Sequence, residues 1–245
     1  GPVPDNGGLA ILSVAALEGR KMAVGQLGAA FRYEGDKWTA LKTGTDARLL
    51  TVALGNNGLV VAGGAFGTLL VSGDDGNSWT PVAMDWFEIL QDAVEPNFYD
   101  IAIIGDTITV VGEFNLILQS TDRGATWAVV QKGGATLSGL SLGADGVGIA
   151  VGQSGTVLRT TDGGATWQQA PTNVTTNLLG VGVSGQNAFA TGFRIALQSS
   201  DGGATWQQAS FGDLKTEWYA TATKAPATSN FILVGHSGRI VEVTN

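Results

Sequence analysis

The sequence predicts an all-β fold, namely a six-bladed β-propeller built from four-stranded antiparallel blades. Three observations predict it. A turn motif ending in tryptophan recurs along the chain, a Val-Gly motif precedes it, and small residues stand at fixed positions of the first strand of each repeat. Repeats of about 40–45 residues with four strands each are typical of β-propellers.

The first motif has the form Ser/Thr-x-Asp-x-Gly-x-Ser/Thr-Trp, and a degenerate fifth copy ends at Trp38. The five tryptophans are 41, 48, 40 and 39 residues apart. We interpret the motif as structural, because an Asp side chain can accept hydrogen bonds from its own turn and a Trp ring covers about 150–250 Å² when it packs on a sheet. The four full copies contain Asp74 and Trp79, Asp122 and Trp127, Asp162 and Trp167, and Asp201 and Trp206.

The second motif occurs six times and therefore defines six units. The central glycines are Gly25, Gly63, Gly112, Gly152, Gly192 and Gly235. We expect one propeller domain from 3 to 245, with Gly1 and Pro2 interpreted as the remnant of a cleaved tag. A missing signal sequence is part of the same interpretation. The expected units are 9–42, 45–83, 98–131, 136–170, 177–209 and 217–245, with a helical insertion at 84–96.

Each unit is expected to contain four short strands, A to D, with the repeated turn between C and D. In the fourth unit these are Leu137–Leu142, Gly148–Gly152, Thr156–Thr160 and Trp167–Ala170. The last unit ends after strand C, at Ile240–Val243, so its fourth strand is either missing or supplied by residues near Val3.

Blades crowd together near the axis of a propeller, so strand A needs small side chains there. Two aligned positions are small in every unit except at Asp100. The same alignment places Trp218 with Ile11, Leu49, Phe98, Leu137 and Leu178. The small positions are Ser13, Thr51, Asp100, Gly139, Gly180 and Ala220, and two residues later Ala15, Ala53, Ala102, Ser141, Gly182 and Ala222.

Composition narrows the function classes. The chain of 245 residues has a net charge of −8, which argues against a nucleic-acid partner. It has no cysteine and one histidine, so thiol chemistry, disulfides and His-rich metal sites are not expected. No apolar run approaches the roughly 20 residues of a membrane span. We expect no cofactor and no metal.

The repeated turn resembles the Asp-box, or BNR repeat, which occurs in sialidase-like glycosidases and in the photosystem II stability/assembly factor family with its bacterial relatives. The Val-Gly-x-x-Gly motif before Ser/Thr-x-Asp-Gly-Gly-x-Thr-Trp is similar to the second family, over residues 9–243. That resemblance implies a non-catalytic protein, exported or lumenal, that binds membrane-protein clients. Bacterial relatives serve other membrane complexes, including transporters. Members usually have seven blades, whereas this sequence has six units.

A sialidase-type site would need an arginine cluster, a tyrosine with a carboxylate partner, and an acid. On the face of the B–C turns and D–A connections, the sequence offers Arg48, Arg194 and Arg239. Phe193-Arg194-Ile195 resembles the start of the sialidase Phe-Arg-Ile-Pro motif but lacks the proline. Tyr99 is interpreted as a core residue, in register with Leu12, Leu50 and Tyr219.

Two acidic residues keep a glycosidase alternative open, because a carboxylate pair alone can hydrolyse glycosides. They are Asp100 and Glu113. His236 is interpreted as a solvated turn residue, since neither a metal-ligand set nor a nucleophile motif accompanies it.

The middle position of the B–C turn is apolar in four of six units, where a polar residue is usual. Exposed apolar clusters mark interaction sites, although each ring could instead pack under a neighbouring loop. The six residues are Leu27, Phe66, Phe114, Ser154, Phe193 and Ser237.

The insertion 84–96 reads as a helix with Asp85 as N-cap, Glu88 three residues later and Pro96 as its stop. Trp86, Phe87, Leu90 and Val94 then fall near one side. Trp86 is the only tryptophan outside the repeat alignment. It is either part of a capping helix or the exposed anchor of a partner-binding site.

Taken together, the sequence predicts an exported, periplasmic or lumenal, non-enzymatic scaffold or accessory protein for a membrane-associated complex, for example a transporter. The alternative is a sialidase-like or carbohydrate-binding propeller. The expected partner-binding residues are Trp86, Phe87, Leu90, Phe66, Phe114, Phe193, Arg194 and Arg48.

Overall fold

The computed structural model describes residues 8–210, 218–224 and 230–243. Within them the chain forms six antiparallel sheets, five of four strands and one of three. These are the blades of a six-bladed β-propeller, as the repeats predict. The expectation that residues near Val3 complete the last blade lies outside the described residues.

The strands follow chain order within every sheet. Sheet one contains β1 (Ile11–Leu17), β2 (Arg20–Gly25), β3 (Ala30–Glu34) and β4 (Lys37–Leu41). Sheet two contains β5 (Leu49–Leu54), β6 (Val60–Gly64), β7 (Leu69–Ser72) and β8 (Thr80–Pro81). Sheet three contains β9 (Phe98–Ile104), β10 (Thr107–Gly112), β11 (Ile117–Ser120) and β12 (Ala128–Gln131).

The second half of the chain repeats the pattern. Sheet four contains β13 (Leu137–Leu142), β14 (Gly148–Gly152), β15 (Val157–Thr160) and β16 (Gln168–Gln169). Sheet five contains β17 (Leu178–Ser184), β18 (Asn187–Gly192), β19 (Ile195–Ser199) and β20 (Gln207–Gln208). Sheet six contains β21 (Tyr219–Lys224), β22 (Phe231–Gly235) and β23 (Ile240–Val243).

Within residues 8–210, 218–224 and 230–243, helical structure is confined to short segments. The α-helix α1 (Trp86–Leu90) lies in the insertion. Four B–C turns form single 3-10 turns, at Gln26–Gly28, Glu113–Asn115, Gln153–Gly155 and His236–Gly238. None of the helices in the described part of the chain has the length and apolar composition that a membrane span requires.

The chain divides into two compact units, residues 1–113 with 118–129, and residues 114–117 with 130–245. In the first unit, the core around Met22, Val60 and Leu70 packs against the half-buried ring of Trp79. In the second, the core around Ile149, Leu178 and Leu197 packs against Trp206. The repeat tryptophans therefore stabilise the packing of neighbouring sheets.

Small residues on strand A allow neighbouring blades to approach. A Cβ atom on Gly180 would lie 2.5 Å from Cα of Thr221, closer than packed atoms come. Neighbouring first strands are also joined by hydrogen bonds, from Val52 N to Ser13 Oγ at 3.3 Å and from Val183 N to Ser141 Oγ at 3.1 Å.

The sixth unit is shifted by one residue relative to the sequence alignment. Each strand A carries a bulge after its first paired residue, and Tyr219 pairs with Gly235 as Leu178 pairs with Gly192. Tyr219, fully buried, therefore takes the core position that the sequence analysis gave to Trp218. The alignment of Trp218, Ala220 and Ala222 was wrong by one residue, because the alternating Ala and Thr residues of 220–223 are small in either register.

The repeated turns share one hydrogen-bond pattern. Asp162 Oδ1 accepts from the backbone N–H of Thr166 at 2.9 Å and from the Thr160 hydroxyl at 2.7 Å, and Oδ2 accepts from the Thr166 hydroxyl at 2.6 Å. These bonds favour the ionised carboxylate and lower the pKa of Asp162 to about 2. Equivalent bonds are present at Asp74, Asp122 and Asp201.

Candidate partner-binding surface

The B–C turns share a residue in the left-handed backbone conformation. Leu27, Phe66 and Phe114 adopt φ values of 52°, 56° and 59° there, and Ser154 and Ser237 adopt 57° and 58°. In the fifth blade the turn is shorter and the left-handed residue is Arg194, with φ 57°. The prediction of Phe193 for this position was wrong by one residue.

Bulky side chains are unusual at this position. The left-handed conformation is disfavoured by roughly 1–2 kcal/mol for residues that carry a Cβ atom. Leu27, Phe66 and Phe114 nevertheless hold it while their side chains are 64, 68 and 37% exposed. Leu27 and Phe66, each about two thirds exposed, contribute little burial in return, which points to a role outside folding.

The insertion begins as predicted. The Asp85 carboxylate accepts a hydrogen bond from Glu88 N at 2.9 Å and caps α1. The helix ends at Leu90, earlier than the predicted stop at Pro96. Gln91 is left-handed, with φ 56°, and its N–H donates to Phe87 O at 2.8 Å. This C-terminal cap ends the helix one turn before the proline could.

Trp86 is buried, with 9% of its surface exposed. Its ring packs against Phe98 with centroids 5.6 Å apart, and against Gly67, where a Cβ atom would lie 2.8 Å from Trp86 Cδ1. The expectation of an exposed Trp86 anchor is therefore corrected, because Gly67 leaves space that the indole fills. Phe87 is the exposed ring of the helix, at 66%, and Leu90 is half-buried.

Hydrogen bonds connect the end of the insertion and the adjacent Asn97 to the turn of the second blade. Gly67 N donates to Pro96 O at 2.8 Å, and Phe66 N donates to Asn97 Oδ1 at 3.2 Å. Asn97 N in turn donates to Glu113 Oε2 at 2.9 Å. Phe66 and Phe87 are thus held on one surface of the first unit, where both line a single cleft.

Tyr99 is not the core residue that the sequence analysis expected. It is half-buried, and its hydroxyl donates to Glu113 Oε1 at 3.1 Å. Partial burial and the Glu113 carboxylate raise the pKa of Tyr99, and the positive charge of the exposed Arg48 opposes them. Phe98 pairs with Gly112 as Tyr219 pairs with Gly235, so Phe98 and not Tyr99 takes the position of Tyr219.

The two acidic candidates are engaged in local hydrogen bonds. Asp100 accepts from Ile101 N at 2.9 Å, and Glu113 accepts from Asn97 N and from Tyr99. Among the described residues, no group of three or more His, Asp or Glu side chains could hold a metal ion.

The second unit carries its own exposed aromatic group. Phe193, 49% exposed, pairs with Trp218, and their ring centroids are 5.5 Å apart. The imidazole of His236 lies 5.7 Å from the Trp218 ring and contacts the hydroxyl of Ser237. Sequence reasoning missed this group because the alignment of the sixth unit assigned Trp218 to the core. Phe114 and Arg194 are exposed in the same unit.

Comparisons with known proteins agree with this fold. The sequence profile of the family described as Photosynthesis system II assembly factor YCF48 matches residues 31–139, less than half of the chain. A search of curated proteins found no significant match.

Three solved structures illustrate the similarity. YCF48 bound to D1 peptide has a TM-score of 0.58 and 16% identity, covering 100% of this chain and 97% of that one. YCF48 from Cyanidioschyzon merolae has a TM-score of 0.56 and 13% identity, covering 98 and 96%. The GH74 xyloglucanase from Xanthomonas campestris has a TM-score of 0.73 and 16% identity. The match covers 95% of this chain but only 44% of that enzyme.

At these identities the solved structures show a shared fold and assign no activity. The family profile and the two YCF48 structures agree with the resemblance read from the repeated motifs. The chain is therefore a BNR-type β-propeller that resembles the photosystem II assembly factor family.

Proposed function

We propose that the protein is an exported, non-catalytic scaffold or accessory protein that binds a membrane-associated protein complex through its B–C turns and insertion. A transporter is one such complex, and the periplasm or a lumen is the proposed compartment. The resemblance to the YCF48 family, one member of which has been solved with a bound peptide, supports this proposal.

Phe66 carries the proposal. It is an apolar ring, 68% exposed, in a left-handed conformation that a glycine or asparagine would adopt at lower free energy. Phe87 lies beside the same cleft and is equally exposed. Exposed aromatic residues that contribute little to folding are typical of the energetic centre of a protein interface.

The test is capture of partners from native membranes by the wild-type protein, a Phe66→Ser/Phe87→Ser variant and an Ile104→Ser control. Ile104 is also an exposed apolar residue, 38% accessible, but it ends strand A beside the A–B turn. We expect a defined set of membrane proteins to be retained by wild type and control and lost by the double variant. An unchanged set, with all three proteins folded by circular dichroism, would overturn the proposal.

A glycosidase or carbohydrate-binding propeller is the second candidate, favoured by one observation. The Tyr99 hydroxyl and the Glu113 carboxylate are 3.1 Å apart, and a sialidase-type site needs a tyrosine with a carboxylate partner. The raised pKa of Tyr99 argues against it, because a nucleophilic phenolate needs a lowered pKa. Turnover of fluorogenic glycosides that Asp100→Asn or Glu113→Gln abolishes would replace the scaffold proposal.

A further inference from the structure

The insertion forms one wall of an open cleft in the first unit, with a volume of about 860 Å³. Its apolar lining comes from Phe66, Met84, Trp86, Phe87 and Val94. The Trp86 ring is buried against Phe98, and this contact holds the helix that carries Phe87 in place. The cleft can therefore hold an apolar side chain between the exposed rings of Phe66 and Phe87.

The same cleft has an acidic rim. Asp85, Asp92 and Glu95 line it and are exposed, and Glu88 lies on the same helix. The insertion 84–96 contains these four acidic residues and no Lys, Arg or His. In the part of the chain that the structure describes, the ion pairs are at Arg20, Arg32 and Arg123, and none involves these four.

The hydrogen bonds that Asp85 and Asp92 accept do not neutralise the negative charges of their carboxylates. Asp85 caps the helix and Asp92 accepts from Ala93 N at 2.7 Å, both through backbone donors that carry no net charge. Asp85, Asp92 and Glu95 therefore produce a negative potential at the mouth of an apolar cleft, whereas Glu88 lines a neighbouring cleft together with Arg123. Such a potential attracts cations and repels phosphate groups.

We propose that this cleft binds a peptide segment of the partner protein in which an apolar side chain is flanked by lysine or arginine. The apolar side chain lies between Phe66 and Phe87, and the cations face Asp92 and Glu95. This inference rests on the proposed function and names the chemistry of the partner. An anionic lipid surface and a nucleic acid are disfavoured occupants, because the rim would repel their phosphates.

Binding of fluorescein-labelled synthetic peptides, followed by fluorescence anisotropy, tests the inference on the full chain. One peptide carries leucine and phenylalanine between lysines, the second replaces the lysines by glutamates, and the third replaces the apolar residues by serines. We expect only the first to bind. We expect Phe87→Ala to weaken it about tenfold or more, as for interface hot spots.

The charge effect needs a matched control, because a basic peptide is attracted to any protein with a charge of −8. Asp92→Asn/Glu95→Gln and Glu18→Gln/Asp36→Asn change the net charge equally, but Glu18 and Asp36 lie at the A–B and C–D turns of the first sheet. We expect the first pair to weaken binding about three- to tenfold and the second pair less than about twofold.

The results that would contradict this inference can be distinguished from those that would contradict the proposed function. Equal weakening by both acidic pairs, binding of the glutamate peptide, no binding of any peptide, or binding to vesicles of anionic lipid would overturn the inference. If membrane-protein capture still depends on Phe66 and Phe87 in that case, the proposed function survives without it. If capture is also unaffected, both fail.

Discussion

The indole of Trp86 and the ring of Phe98 pack at a centroid distance of 5.6 Å with their planes tilted by 56°. This contact joins the insertion to the first strand of the third sheet. It makes the insertion a fixed part of the surface of the first unit and leaves Phe87 as its exposed neighbour.

Trp86→Ala should therefore destabilise the protein, in contrast to Phe87→Ala. Removal of a buried Trp ring costs roughly 3–5 kcal/mol, or a fall of very roughly 6–20 °C in Tm for a chain of this size. Exposed positions change stability by less than about 0.5 kcal/mol. Thermal unfolding by circular dichroism measures both. Equal Tm values for the two variants would contradict the packing described here.

Gly67→Ala should displace the insertion without removing any ring. A Cβ atom at this position would overlap Nε1 of Trp86, and the backbone there has φ +65°. We expect a lower Tm, and faster hydrogen exchange in the segment 84–96 than in the wild type. Gly35→Ala, also left-handed but without any atom near its Cβ position, is the control that separates overlap from backbone strain.

Phe66→Gly should stabilise the fold while it removes a proposed binding residue. Glycine adopts the left-handed conformation freely, so relief of strain is worth about 1 kcal/mol against little lost burial. Urea unfolding should show a higher midpoint than in the wild type. A lower midpoint would mean that the ring contributes to folding, and the argument from strain would then be lost.

The carboxylates of the repeated turns predict acid sensitivity. The folded-state pKa of Asp162 is about 2, below the ordinary value of 3.8. The stabilisation is therefore fully present above the ordinary value and is lost as the pH falls through the folded pKa. Asp162→Asn should be less stable than the wild type at neutral pH, and the difference should shrink as the pH falls from about 3.8 to about 2. Urea unfolding over this range tests it; a constant difference would contradict it.

Glu113→Gln should lower the pKa of Tyr99. The Glu113 charge and its hydrogen bond are two of the three causes that raise this pKa, and partial burial remains as the third. Spectrophotometric titration, with Tyr99→Phe to identify the signal among three tyrosines, measures the change. An unchanged titration curve would show that burial alone sets the value.

Much of the fold could be predicted because it repeats. The strands Leu137–Leu142, Gly148–Gly152 and Ile240–Val243 have the predicted bounds, since the turn residues between them recur at fixed spacing. The N-cap Asp85 was likewise predicted from a local pattern, and its hydrogen bond confirms it. Such features depend on residues close together in the sequence.

The errors involve contacts between distant residues. Trp86 rather than Phe87 turns inward because Gly67 leaves room for the indole. Gly67 is distant in sequence, since strands β7 and β8 lie between it and the helix. The identity of the buried residue in the sixth blade depends on the pairing of Tyr219 with Gly235 across a bulge. Periodicity alone contains neither piece of information. The partner-binding residues and the division into repeat units remain predictions.

The common backbone of the B–C turns has a practical consequence for protein engineering. Leu27, Phe66, Phe114, Ser154 and Ser237 occupy nearly the same backbone conformation, although their side chains differ in size and polarity. The path of the chain at these turns is thus independent of the residue that it displays. Recognition can be redesigned one blade at a time, by exchange of a single residue, while the scaffold beneath it is left unchanged.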